Sequence, residues 1–125
     1  MTYPPDLRYT KEHEWVRVDG STATMGITSY ATDELGDIVF VELPAVGSAL
    51  TQFASFGVVE SVKAVSDLFA PISGTVTATN ERLRDEPELL NHDAFGDGWL
   101  AKIELSDAGE LDALLDADAY AKLTA

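Results

Sequence analysis

The chain has no cysteine among its 125 residues, which excludes disulfides, thiolate nucleophiles and cysteine-ligated zinc together. Histidine is nearly as scarce: His13 and His92 are the only two, too few for a histidine-rich metal site. Basic residues are also few, 8 against 22 acidic ones, for a formal net charge of -14. Phosphate recognition needs clustered Lys and Arg, so nucleic acid is excluded as a principal partner, and anionic membrane surfaces are disfavoured. No apolar run approaches the ~20 residues of a membrane span. Met1 to Asp6 lack the basic start and apolar core of a signal peptide and the Arg-rich look of a transit peptide, so a cytoplasmic location is expected. No nucleophile–base triad, phosphate loop or metal motif is visible, which argues against an enzyme.

What is present is ordinary globular sequence, 46% hydrophobic and 24% charged. At this length the expectation is one domain over residues 1–125, a monomer that buries roughly two-thirds of its unfolded surface. Period-two alternation dominates and predicts strands. Glu14 to Val18 alternates up to Asp19-Gly20, a hairpin signal, and Thr22 to Ile27 is the return strand. Tyr30 to Leu35 is a short helix, with Thr28 or Ser29 to start it and Gly36 to end it. Ile38 to Leu43 is a strand ended by Pro44. Phe56 to Val62 and Ala64 to Phe69 are two more, with almost nothing between them, and Pro71 to Gly74 turns the chain into Thr75 to Ala78. Asp85 or Glu86 before Pro87 predicts a helix start running to Leu90. Trp99 to Leu105 is the last strand, and Ser106 is expected to cap a helical tail over about 107–123, with Asp116 as a possible interruption. Short strands separated by Gly, Pro and Asp predict an all-β sandwich or barrel with peripheral helices.

Lys63 is one of four lysines and falls where the two adjoining strands must reverse, Ser61 to Ala64. A lysine at a tight hairpin tip is held away from the body, where an enzyme can acylate it. A solvating lysine that blunts a turn is the alternative. Glu60-Ser61-Val62-Lys63-Ala64, with Ser66-Asp67 and Pro71-Ile72-Ser73-Gly74 after it, resembles the lipoylation site of the glycine cleavage system H-protein family. The resemblance extends to His13-Glu14-Trp15-Val16, Gly26-Ile27-Thr28, Leu35 to Pro44 and Gly96 to Leu100, all in the family's order. It covers roughly Tyr9 to Leu123. A biotin carrier would place Met on both sides of the lysine, where this chain has Val62 and Ala64.

The resemblance implies a barrel-sandwich hybrid of the lipoyl/biotinyl carrier type and a carrier without catalytic residues of its own. It implies lipoic acid in amide linkage to Lys63, within Glu60, Ser61, Val62 and Ala64. It implies three partner enzymes: a pyridoxal-phosphate glycine decarboxylase that loads an aminomethyl group, a folate-dependent aminomethyltransferase that removes the methylene, and a dihydrolipoyl dehydrogenase. A lipoate ligase or lipoyl transferase would attach the group. An ammonium at the end of a loaded arm suits carboxylates. The family places its cleft near the chain's start and beside the hairpin, so Glu14 and Asp67 are the candidates, with Glu12 as a third carboxylate and His13 as a possible contact. Relatives often have Gly-Asp at Phe53-Ala54, which bears on the turn before the hairpin strand, and Pro-Tyr at Ala94-Phe95, where this chain lacks a hydroxyl near the Gly98-Trp99 block. Other readings are a lipoyl relay that donates its group to other acceptor domains, an enzyme using Glu12 with Glu14, and an unmodified interaction module. An absence of cysteine suits a dithiol carrier, since a protein thiolate would trap the arm as a mixed disulfide. The acidic faces around Asp33, Glu34, Asp37 or Asp67 suit electrostatic steering towards basic partners.

Overall fold

A computed structural model describes residues 3–125. Among these described residues nine strands form two antiparallel sheets. The larger contains β1 (Arg8–Tyr9), β2 (Glu14–Asp19), β3 (Thr22–Ile27), β9 (Ala101–Leu105), β8 (Gly74–Thr79) and β5 (Ala49–Leu50), in that spatial order. The smaller is β4 (Ile38–Glu42), β6 (Ser55–Ser61) and β7 (Val65–Phe69), again in spatial order. This is the barrel-sandwich arrangement, mostly sheet with short helices at its margins.

Local chemistry explains the connections. Asp19 pairs with Thr22 across a two-residue loop, and Gly20 takes the first loop position at φ 65, the place a type II′ turn reserves for glycine. In helix α1 (Ser29–Leu35) the Thr28 side chain accepts from Ala31 N–H, and Gly36 ends the helix at φ 82. Trp15 is fully buried opposite Gly26. Its indole N–H donates to the carbonyls of Ile27 and Ala94, each at 3.0 Å. A Cβ on Gly26 would come within 2.7 Å of that indole, so a side chain there would displace the largest anchor of the sheet.

Among the described residues three apolar clusters fill the interior. Val16, Met25, Ile72, Val76 and Ile103 lead the first, and Ile38, Val41, Val59, Leu68, Leu90 and Leu100 the second. Partly buried Phe56 packs on both. The third is aromatic: Tyr3, Tyr9, Trp15 and Tyr120, with Tyr9 and Tyr120 stacked at 4.7 Å.

The second half departs from the expected boundaries. The helix expected from Asp85 or Glu86 to Leu90 is instead two single turns, α2 (Arg82–Asp85) and α3 (Leu89–His92). Asp85 therefore closes a turn rather than opening one, and Pro87 lies between them. The last strand begins at Ala101, because Asn80 Nδ2 already donates to the carbonyls of Asp97 and Trp99. Asp107, not Ser106, caps the tail: its side chain accepts from Gly109 N–H at the head of a 3-10 segment, Ala108–Ala113. The tail then breaks where Leu115 forms a two-way backbone bridge with Tyr9, and Asp116 caps helix α4 (Ala117–Leu123). Among the described residues no helix is long and apolar enough to cross a membrane.

Candidate functional site

The β6–β7 hairpin reverses at Val62-Lys63-Ala64, as its two flanking alternations require. Ser61 organises the tip: its N–H donates to the Ala64 carbonyl at 2.8 Å, and its Oγ accepts from Ala64 N–H at 3.0 Å and Lys63 N–H at 3.3 Å. Val62 N–H donates to Asp37 O at 3.1 Å, which ties the tip to the junction between α1 and β4. Lys63 is exposed. Its stem runs over the Gly36 backbone, where an added Cβ would lie 3.7 Å from the lysine Cε. It makes no ion pair among the described residues. The result is an unpaired amine on a long stem with a braced root.

The candidate carboxylates occupy three different settings. Glu14, at the start of β2, is buried at 2% exposure, although an alternating strand residue in so acidic a chain reads as solvated. Its Oε1 accepts from the Thr10 hydroxyl at 2.5 Å and its Oε2 from Phe69 N–H at 3.2 Å. The same hydroxyl accepts from the N–H groups of Glu12 and Glu14, so one threonine shapes the loop between β1 and β2. β7 is the edge of its sheet, and Glu14 satisfies an edge N–H that no strand reaches. Burial pushes the Glu14 carboxyl up to about 7, against the lowering effect of the Thr10 and Phe69 hydrogen bonds. Glu12 is exposed. Asp67 is exposed on β7, four residues from the tip, about 13 Å along a strand.

His13 stands apart from them. Its Nδ1 is 2.8 Å from the Tyr120 hydroxyl, and its ring lies 4.7 Å from that of Tyr30. Burial lowers its pKa, and the nearby Glu12 and Glu34 carboxylates oppose that shift. His92 is exposed at the end of α3. Trp99 is half-buried, with the Lys102 ammonium 5.2 Å from its ring centre.

A cleft of about 380 Å³ opens between the β7 edge and the loop before β2, with Thr10, Glu12, Phe53, Phe69 and Leu115 among its walls. Of the candidate residues Glu12 lines it directly. Glu14 stands behind it through Thr10 and Phe69, while His13 and Asp67 lie outside the wall. Val65, Asp67 and Phe69 share one face of β7, a track from the Lys63 tip towards the cleft. Thr10, Phe53 and Phe69 are wall residues that the motifs do not single out. The one trace in the sequence is Phe53-Ala54, the pair that departs from the Gly-Asp of the family resemblance. That turn is kept, with Phe53 itself at φ 66. Among the described residues no cluster of His, Cys, Asp and Glu is arranged to hold a metal.

A family model described as glycine cleavage H-protein matches residues 7–125. The chain is 66% identical over 117 residues to a probable glycine cleavage system H protein of Haloarcula marismortui, covering 94% of this chain and 92% of that one. It is 61% identical over 120 residues to the glycine cleavage system H protein of Acidobacterium capsulatum, covering 96% and 92%. Among solved structures, a glycine cleavage system H protein from Mycobacterium marinum superposes with a TM-score of 0.88 at 41% identity, covering 96% of this chain and 97% of that one.

Proposed function

The chain belongs to the glycine cleavage H-protein family, and on that premise we propose that Lys63 bears its lipoyl group. It is a lipoylated carrier of the glycine cleavage system, which implies the system's decarboxylase, aminomethyltransferase and dihydrolipoyl dehydrogenase as partners. One observation supports the assignment to Lys63 above the others: an exposed, unpaired lysine at a hairpin tip whose backbone is hydrogen-bonded on both sides. The bound lipoyl group supplies a disulfide that accepts the one-carbon cargo and leaves a dithiol for re-oxidation.

The protein's own residues hold and release. Ser61 and Asp37 fix the root of the arm, so its sweep is set by the stem and not by backbone wandering. The β7 track and the cleft beyond it offer a resting place. Its apolar wall suits an alkyl chain, and Glu12, with Glu14 behind, suits a terminal ammonium. Asp67 lies on the way. Sheltering the cargo there keeps water from it between partners.

Val39, Phe40, Val62 and Val65 are all exposed around the tip, and Phe40, Glu60 and Val65 are cross-strand neighbours. This mixed apolar and acidic face is the surface we assign to partner enzymes, the lipoate ligase or lipoyl transferase included. Phe56 joins two of the apolar clusters, which supports one domain. The test is glycine–bicarbonate exchange with the decarboxylase. Lipoylated parent should support it and Lys63→Arg should not, while exchange by Lys63→Arg at the parental rate would overturn the assignment.

A further inference from the structure

Phe53 and His13 are the two non-glycine residues with positive φ among those described, at 66° and 74°. Phe53 lines the cleft, whereas the His13 side chain turns away from it to Tyr120 and Tyr30. A bulky residue rarely adopts that conformation, and such strain persists where surrounding structure enforces it, most often around ligands. Here the enforcement is visible. Phe53 N–H donates to Ala70 O at 2.7 Å, Ala70 N–H returns to Ala54 O at 2.9 Å, and Ala54 N–H donates to Thr51 O at 3.0 Å. The strained turn is thereby fastened to the end of β7, the strand whose other end meets Lys63.

The ring gains little from the fold in return. Phe53 is 51% exposed, so half of a large apolar surface is left in water at the mouth of a cleft that Phe69 lines as well. The volume is within the range of small-molecule sites. Its walls are apolar on the Phe53, Phe69 and Leu115 side, and its polar side offers the Glu12 carboxylate with Lys11 beside it. That pairing fits a flexible alkyl chain with sulfur along its length and an ammonium at its end, and sulfur packs favourably against aromatic rings.

We infer that Phe53 is an arm-seating residue: its ring closes the apolar wall of the cleft over the acylated side chain of Lys63 and holds the cargo end against the Glu12 side. The inference rests on the lipoyl reading of Lys63. It adds a specific contact from a turn remote in sequence from the hairpin tip. The strained backbone is what aims the ring, so any residue able to reach the same φ without a ring leaves the wall open.

The test uses the lipoylated protein with its arm reduced and treated with bromoethylamine. Each thiolate displaces bromide and becomes a thioether ending in an ammonium. Because the chain has no cysteine, only the arm offers thiols. Seating is read from the amide resonances of Phe69 and Glu14, aminoethylated against untreated, in parent, Phe53→Gly and Phe53→Tyr. Glycine accepts the φ of this turn, and unchanged amide spectra away from the cleft show that each variant is folded.

The parent and Phe53→Tyr should show matching shifts. Phe53→Gly should show a seated fraction whose equilibrium constant is reduced about fivefold, the scale of one lost aromatic contact. Full parental shifts in Phe53→Gly would overturn the role of Phe53 while leaving the cleft intact. No shift in the parent, with mass spectrometry showing the arm on Lys63, would overturn seating in this cleft altogether. An arm absent from Lys63 would overturn the underlying lipoyl reading first.

Discussion

Replacing Glu14 by Gln should raise stability relative to the parent progressively as the pH climbs from about 4.5 to about 7. The carboxyl is 2% exposed and has two hydrogen-bond donors, the Thr10 hydroxyl and the Phe69 amide. Those bonds favour the ionised form, but burial outweighs them and raises the pKa from 4.5 to about 7. A carboxyl of this kind binds its proton more tightly folded than unfolded. Its contribution to stability is therefore complete below pH 4.5 and is lost as the pH rises through about 7. That span corresponds to on the order of 3 kcal/mol, a large part of the stability of a small domain. Gln carries no charge to desolvate and keeps one acceptor, for Phe69; the bond it loses from the Thr10 hydroxyl is a cost that does not vary with pH. Urea unfolding of both proteins at several pH values gives the difference directly, because titrations elsewhere in the molecule cancel. The parent should lose ground to the variant progressively between about pH 4.5 and about pH 7. A constant difference over that range would refute a proton-holding Glu14, and a parent that gains ground as the pH rises would reverse the sign of the reasoning.

Gly57→Ala places a Cβ against the Glu42 backbone carbonyl, at the register shift between Ser55 and Gly57. Because β4 must move to admit it, thermal unfolding should show a loss of about 2 kcal/mol and a fall in Tm on the order of 10 °C; an unchanged Tm would mean that the two strands are not in such close contact. The surplus of 22 acidic over 8 basic residues should make partner encounter depend on salt, so the apparent KM of the decarboxylase for this carrier should rise as ionic strength increases. A flat salt response would rule out steering by the acidic face.

Local structure was largely legible from the sequence. The Asp19-Gly20 turn, the Thr28 and Gly36 ends of α1 and the Ser61–Ala64 reversal each depend on a few adjoining residues, and each stands where the pattern puts it. Elements set by distant contacts were less so. The tail breaks at Leu115 because Tyr9 draws that residue into a backbone bridge, a pairing that no local propensity contains. Glu14 reads as an exposed strand residue until the free edge of β7 is placed beside it, 55 positions away in sequence. Phe53 shows only as an unexpected residue in a turn, since nothing in a single sequence announces that a phenylalanine takes a glycine's conformation. The position of Lys63 at a hairpin tip was legible from its place between two strands.

The most direct measurement is peptide mapping by mass spectrometry of protein produced with lipoate in excess. One lipoyl adduct should be found, on the peptide containing Lys63, and Lys63→Arg should carry none. An adduct on Lys11, Lys102 or Lys122, or a bare Lys63 in protein that still supports glycine–bicarbonate exchange, would contradict the account.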